Sequence, residues 1–244
     1  MNIIARSTIH PVARWLHHYG AALPWRARWS FSCLPPRCYF CEREGDLGPI
    51  DLCTACLAGL PWSPCADPER LPFAAFTYRD PIADSLKTLK YRGDRRAARL
   101  FGGMLAGALH GYEPPEALIP VPLHPERVCR RGFNQSALIA THVGHWLHRP
   151  VRHDWLSRIR ATPSQTGLHA AERRLNVEGA FVVSPCGLAS IASMGLRRVA
   201  LIDDVLTTGA TLDAARDALL AAGLVEVQRW AVARAMPTNS AMPT

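Results

Sequence analysis

Apolar residues arrive along this chain in short runs, separated by longer amphipathic or polar stretches, which is the pattern of buried strands alternating with helices. Phe73 to Tyr78, Ala117 to Val121, Val151 to Leu156, Phe181 to Val183, Val199 to Ile202 and Val225 to Arg234 read as strands. Helical segments follow the first of these up to about residue 110. Asn134 is placed to cap a helix reaching about Leu147, with Ala137, Leu138, Val143 and Trp146 or Leu147 in its apolar stripe. Leu212 to Ala222 reads as a further helix, with Gly223 positioned to end it. The alternation predicts an α/β domain over 72–235, built on a mostly parallel sheet with helices on both faces and its ligand at the carboxyl ends of the strands.

Two polar stretches interrupt this pattern. Pro122 to Phe133 reads as a strand-exit loop carrying His124, Arg127, Arg130, Arg131 and Gly132. Ser157 to Gly179 reads as a long loop with Arg158, Arg160, Thr162, Gln165, Arg173, Arg174 and Asn176, and loops of that length inside a domain are usually functional or mobile. A parallel sheet would gather these cations at one edge.

Residues 33–66 differ in kind, being rich in Cys, Pro and Gly and almost without periodicity. Cys38, Cys41, Cys53 and Cys56 form C-x2-C-x11-C-x2-C, a spacing that suits two knuckles closing on one tetrahedral zinc. Four thiolates leave no open coordination position, so the zinc is expected to be structural. Cys33, Cys65, Cys129 and Cys186 remain as scattered thiols, as is normal in a reducing compartment. A basic arm at 1–32, within which residues 11–24 suit an amphipathic helix, precedes this module. A disordered tail at 236–244 ends the chain.

Composition narrows the class. The 244 residues are 48% hydrophobic with a mean hydropathy of -0.01, and no apolar run approaches the roughly 18–20 residues of a membrane span, so a cytoplasmic protein is expected. The net charge of +8 is clustered: residues 1–37 hold five arginines and no acid, and Lys87, Lys90, Arg92, Arg95, Arg96 and Arg99 are opposed only by Asp94. Such clusters favour polyanions, either a sugar diphosphate or a nucleic acid. Trp15, Trp25, Trp29, Tyr91 and Phe101 interleave with them as candidate stacking partners for bases, or as packing residues.

The most informative chemistry lies at 198–212, where the apolar run ends in Asp203 and Asp204 and passes through Val205 into Thr207, Thr208, Gly209, Ala210 and Thr211. A strand-to-helix turn offers backbone N–H groups and a helix dipole to an anion, and the threonine hydroxyls add donors. The two acids would repel that anion and suit hydroxyls instead. A ribose 5-phosphate meets both demands. A nucleoside-triphosphate loop is disfavoured, because the lysine of GxxxxGK[ST] is missing.

This string closely resembles the phosphoribosyl-diphosphate (PRPP) motif of type I phosphoribosyltransferases. With the four-cysteine module, Leu-Pro-Trp at 60–62, Lys-Tyr-Arg-Gly-Asp at 90–94, Val-Pro-Leu-His at 121–124, Arg-Arg-Gly-Phe-Asn-Gln-Ser at 130–136 and Arg-x-Arg-x-Thr-x-x-Gln from Arg158, the chain resembles the ComF/GntX family over roughly 33–235. The resemblance implies a type I phosphoribosyltransferase-like domain joined to a zinc ribbon, with a role in natural competence. Asp203 and Asp204 would hold the ribose hydroxyls, and Val205 and Thr207 through Thr211 would wrap the 5-phosphate. Lys90, Arg92, Arg130 and Arg131 would meet the diphosphate with Mg²⁺, and Arg158 and Arg160 would join the two acids in catalysis. Three readings stand open: single-stranded DNA handling in transformation alongside competence-machinery proteins, phosphoribosyl transfer in nucleotide metabolism or salvage, and PRPP sensing without turnover.

Overall fold

The structure is a computed structural model that describes residues 37–44, 50–63, 72–161 and 177–235. The basic arm at 1–32, Cys33, Cys65, Thr162, Gln165, Arg173, Arg174, Asn176 and the tail at 236–244 lie outside the described residues.

The described residues form an α/β fold around four parallel strands. β1 (Phe73–Thr77), β6 (Glu226–Arg234), β5 (Arg198–Leu206) and β2 (Ala117–Pro120) lie side by side in the order β1-β6-β5-β2. Register is set by pairs such as Phe73 with Trp230, Ile202 with Trp230, and Pro120 with Ile202. Successive side chains of a strand point to opposite faces. Leu118, Ala200, Ile202, Trp230 and Val232 therefore join one core with α3 (Arg95–Ala108) and α5 (Gln135–Leu147). Ala117, Ile119, Val199, Leu201 and Ala231 face the opposite core, with α6 (Pro185–Met194) and α7 (Ala210–Ala221). Both faces are covered, which is why these strands are apolar throughout.

Several elements depart from the sequence reading. The loop expected at 122–133 contains a helix, α4 (Pro125–Arg131), that has no buried residue and so presents no apolar period. Asn134 caps α5 as expected, accepting from the Ser136 N–H at 3.0 Å. The deepest stripe of α5 is nevertheless Ile139, Ala140, Val143 and Gly144, while Leu138, Trp146 and Leu147 are only half-buried. The strand read at 151–156 begins later, as β3 (Leu156–Arg158), because only Val151 bridges to Leu118 at the sheet edge. β3 takes the first residues of the expected long loop, and it pairs antiparallel with β4 (Phe181–Val183) in a separate two-stranded sheet. α6 was not expected, although Ser184 caps it, Pro185 opens it and Gly195 closes it. Phe101, a candidate for base stacking, is fully buried in α3.

The cysteine module docks onto the sheet domain. Ile50, Leu52, Leu57 and Leu60, around the short helix α1 (Thr54–Ala58), enter the same apolar cluster as α3 and α5. Gly103 permits the contact, since a Cβ there would stand 2.4 Å from Ile50 Cγ2. The Tyr39 hydroxyl donates to Asp94 at 2.8 Å, and Asp94 in turn caps α3, accepting from the Arg96 N–H at 2.9 Å. The segment is thus held against the sheet domain by apolar docking and by the Tyr39–Asp94 hydrogen bond. Among the described residues, no helix is long and apolar enough to cross a membrane.

Candidate functional site

All four parallel strands release their carboxyl ends at one edge, and a cleft of about 370 Å³ opens there. Tyr78 follows β1, Pro122 and Leu123 follow β2, Asp203 to Leu206 end β5, and Ala235 follows β6. β5 continues through both acids, with Asp203 still in register with Ala231 and Leu206 with Arg234. The acids are therefore fixed by ladder hydrogen bonds rather than carried on a loop. The turn that follows is short: Gly209 has φ +84°, a left-handed conformation that L side chains rarely adopt, and α7 starts at Ala210. Thr207 and Thr211 line the cleft with Gly209 and Val205. Thr208 and Ala210 are not among its lining residues, and the Ala210 N–H donates to Thr208 Oγ1 at 3.4 Å.

The structure sorts the predicted cations. Lys90, on α2 (Ile82–Arg92), lines the cleft together with Arg131 from the last turn of α4 and Arg158 from β3. Arg92, Arg130 and Arg160 are exposed and stand outside its walls. Lys87, Tyr91, Arg127 and Gln135 also line it; they sit in or beside the motifs at 90–94 and 130–136, the signal that makes them legible in the sequence. Tyr91 is 72% exposed, with Lys90 Nζ at 5.7 Å and the Arg131 guanidinium at 5.9 Å from its ring centre. The two motifs touch directly, because the Phe133 ring packs where a Cβ on Gly93 would stand at 3.2 Å.

Asp203 is the most perturbed group in the cleft. Burial, and then the neighbouring Asp204 carboxylate, push its carboxyl well above the usual 3.8, while the Ser136 hydroxyl and the Asp204 N–H oppose that rise. Ser136 Oγ donates to Asp203 Oδ1 at 2.9 Å, and the Asp204 N–H donates to the same oxygen at 2.9 Å. Burial disfavours the charge on Arg131 and Arg158, with Asp204 and Asp203 respectively favouring it. The result is a polar cleft with two carboxyl groups from β5 and with guanidinium and ammonium groups from α2, α4 and β3. Such a bipolar cavity suits a ligand that carries both hydroxyls and anionic oxygens.

At the cysteine cluster, the sulfurs of Cys38, Cys41, Cys53 and Cys56 all lie within 4.8 Å of one another. Cys41 and Cys53 are 3.7 Å apart, close to the roughly 3.8 Å that a tetrahedron with Zn–S bonds of about 2.3 Å requires. Burial works against a Cys38 thiolate, but hydrogen bonds from the backbone around Cys41, Cys53 and Phe40 prevail and bring its thiol down to about 6. Burial and the neighbouring sulfurs push the Cys56 thiol up. Four convergent sulfurs with opposed proton affinities can hold one zinc ion.

No protein-family model matches the chain. It is 37% identical over 164 residues to Competence protein F of Haemophilus influenzae, which covers 65% of this chain and 70% of that protein. It is 30% identical over 231 residues to DNA utilization protein YhgH of Escherichia coli, covering 83% of this chain and 99% of the relative. Competence protein ComFC of Bacillus subtilis is 30% identical over 152 residues, 62% of this chain and 58% of that protein. With identity at this level over nearly the whole length of a relative, and with a parallel-sheet fold and four-cysteine cluster of the expected kind, the chain belongs to the ComF family.

Proposed function

We propose that this protein acts in DNA uptake, handling incoming single-stranded DNA in the cytoplasm, and that its cleft binds PRPP with Mg²⁺. The first part rests on the competence and DNA-utilization names of its relatives. The second rests on one observation: a carboxylate pair and a threonine-glycine turn share the strand-end cleft with Lys90, Arg131 and Arg158. At about 370 Å³ the cleft is within the range of small-molecule sites, about 300–1,000 Å³.

In this reading Asp203 and Asp204 accept the ribose hydroxyls. The amides and hydroxyls from Thr207 to Thr211, with Val205, Thr208, Gly209 and Ala210 shaping the turn, hold the 5-phosphate at the start of α7. Lys90 and Arg131 meet the diphosphate, and the exposed Arg92 and Arg130 extend the positive field outward along a route for the DNA backbone. Mg²⁺ would sit on diphosphate oxygens and water, neutralising charge there. Should the ligand turn over, Arg158 would stabilise the departing diphosphate while the acids stabilise positive charge developing on the sugar; Arg160, outside the cleft walls, would not reach it. Structural zinc would hold 33–66 as a module beside the 72–235 domain.

PRPP with Mg²⁺ is expected to raise the melting temperature, and Asp204→Asn to reduce that rise; an unchanged curve at millimolar ligand would refute the cleft assignment. Single-strand binding should weaken with salt, log affinity falling by about 0.7 per neutralised phosphate per decade. Diphosphate release across an acceptor screen, run beside transformation of a deletion strain, separates turnover from DNA handling.

A further inference from the structure

The segment at 130–136 does more than supply cations. Arg131 Nη1 donates to Gln135 Oε1 at 2.5 Å, one helical turn apart. Asn134 Nδ2 donates to the Val121 carbonyl at 3.0 Å, which ties the start of α5 to the end of β2, while its Oδ1 accepts from the Ser136 N–H. Ser136 is 1% exposed, and its hydroxyl crosses to β5 to reach Asp203 Oδ1. Two donors on one oxygen, the Ser136 hydroxyl and the Asp204 N–H, fix the rotation of the Asp203 carboxyl about its Cβ–Cγ bond.

We propose that Ser136 is a positioning residue, whose hydroxyl fixes the orientation of the Asp203 carboxyl in the cleft; the consequence for ligand affinity rests on the sugar-phosphate reading above. A hydrogen bond to a charged acceptor favours the charged form, and here it opposes burial and a neighbouring carboxylate. Asp204 stands beside Asp203 and raises its carboxyl, by its charge and by a side-chain hydrogen bond. Arg158 on β3 and Arg127 and Arg131 on α4 act across the cleft, with Lys87, Lys90 and Tyr91 on α2 and Tyr78 after β1 on its far wall.

The test has two readouts. Carbon-13 NMR of the carboxyl groups follows the Asp203 titration in the ligand-free protein, with Asp204→Asn to assign the pair. Calorimetry measures PRPP–Mg²⁺ affinity across pH. Ser136→Ala is expected to displace the Asp203 midpoint upward and to weaken PRPP at neutral pH by roughly tenfold. The loss of affinity on acidification should begin at a higher pH than in the wild type. Ser136→Thr, which keeps the hydroxyl, should retain the wild-type midpoint. Should the alanine variant fail to fold, Ser136→Cys keeps the volume with only a weak donor and carries the same comparison. An Asp203 midpoint that is identical in wild type and variant overturns the proposal, whatever PRPP does. A displaced midpoint without PRPP binding by the wild type leaves the Ser136–Asp203 coupling standing and removes the sugar-phosphate reading instead.

Discussion

Replacing Asp203 by Asn isolates its charge from its hydrogen bonds. Both donors to this side chain, Ser136 Oγ and the Asp204 N–H, meet Oδ1 at 2.9 Å, so an asparagine placing its amide oxygen there keeps both. Losing two such bonds would cost about 1–3 kcal/mol, and that cost is avoided. What disappears is a carboxylate disfavoured by burial and by Asp204. Relief of such a site is expected to stabilise the protein by about 1 kcal/mol at neutral pH, or about 2–4 °C for a chain of this size. The sign follows from linkage. Because the folded carboxyl is raised, wild-type stability is fully present below the unfolded value, near 3.8, and is lost as pH rises from there through the folded midpoint. The difference between Asn variant and wild type should therefore be small near pH 3.5, widen as pH rises through that window, and then level off. Thermal unfolding followed by circular dichroism over pH 3.5–8 measures it, with the PRPP-induced shift recorded in parallel and expected to fall. A variant less stable than wild type at neutral pH, or a gain that does not change with pH, would refute the reasoning.

Other outcomes separate the parts of the site. Arg131→Ala should reduce the PRPP thermal shift, whereas Arg92→Ala should leave it unchanged while weakening single-strand binding, because only Arg131 lines the cleft. Gly209→Ala, at φ +84°, should cost about 1–2 kcal/mol and lower the melting temperature by several degrees in differential scanning fluorimetry. Elemental analysis should find one zinc per chain, lost on Cys53→Ser; two zinc ions would place a further site outside the described residues. Burial first, and then Asp94, push the Tyr39 hydroxyl up to about 12, so zinc removal that loosens Tyr39 from this site should bring its titration down toward the ordinary value.

What the chain alone determined is local. Cys38, Cys41, Cys53 and Cys56 announce one cluster by spacing, and the order from Val199 through Asp203 and Asp204 to Thr211 announces a strand, an acidic end and an anion-receptive turn, because each feature spans fewer than twenty residues. The alternation of apolar runs likewise sufficed for a parallel α/β fold, since a strand covered on both faces must be apolar throughout. α4 is illegible because it buries nothing, and the pairing of β3 with β4 in a sheet of their own is illegible because a three-residue strand carries no partner preference of its own. Tertiary structure decided which cations share the site. Arg130 and Arg131 are neighbours in sequence, yet helical rotation sends one outward and turns the other into the cleft. It also decided that Ser136, 67 positions before Asp203, meets it through a hydrogen bond: sheet order and the anchoring of α5 to β2 bring them together, and neither is encoded in any local pattern.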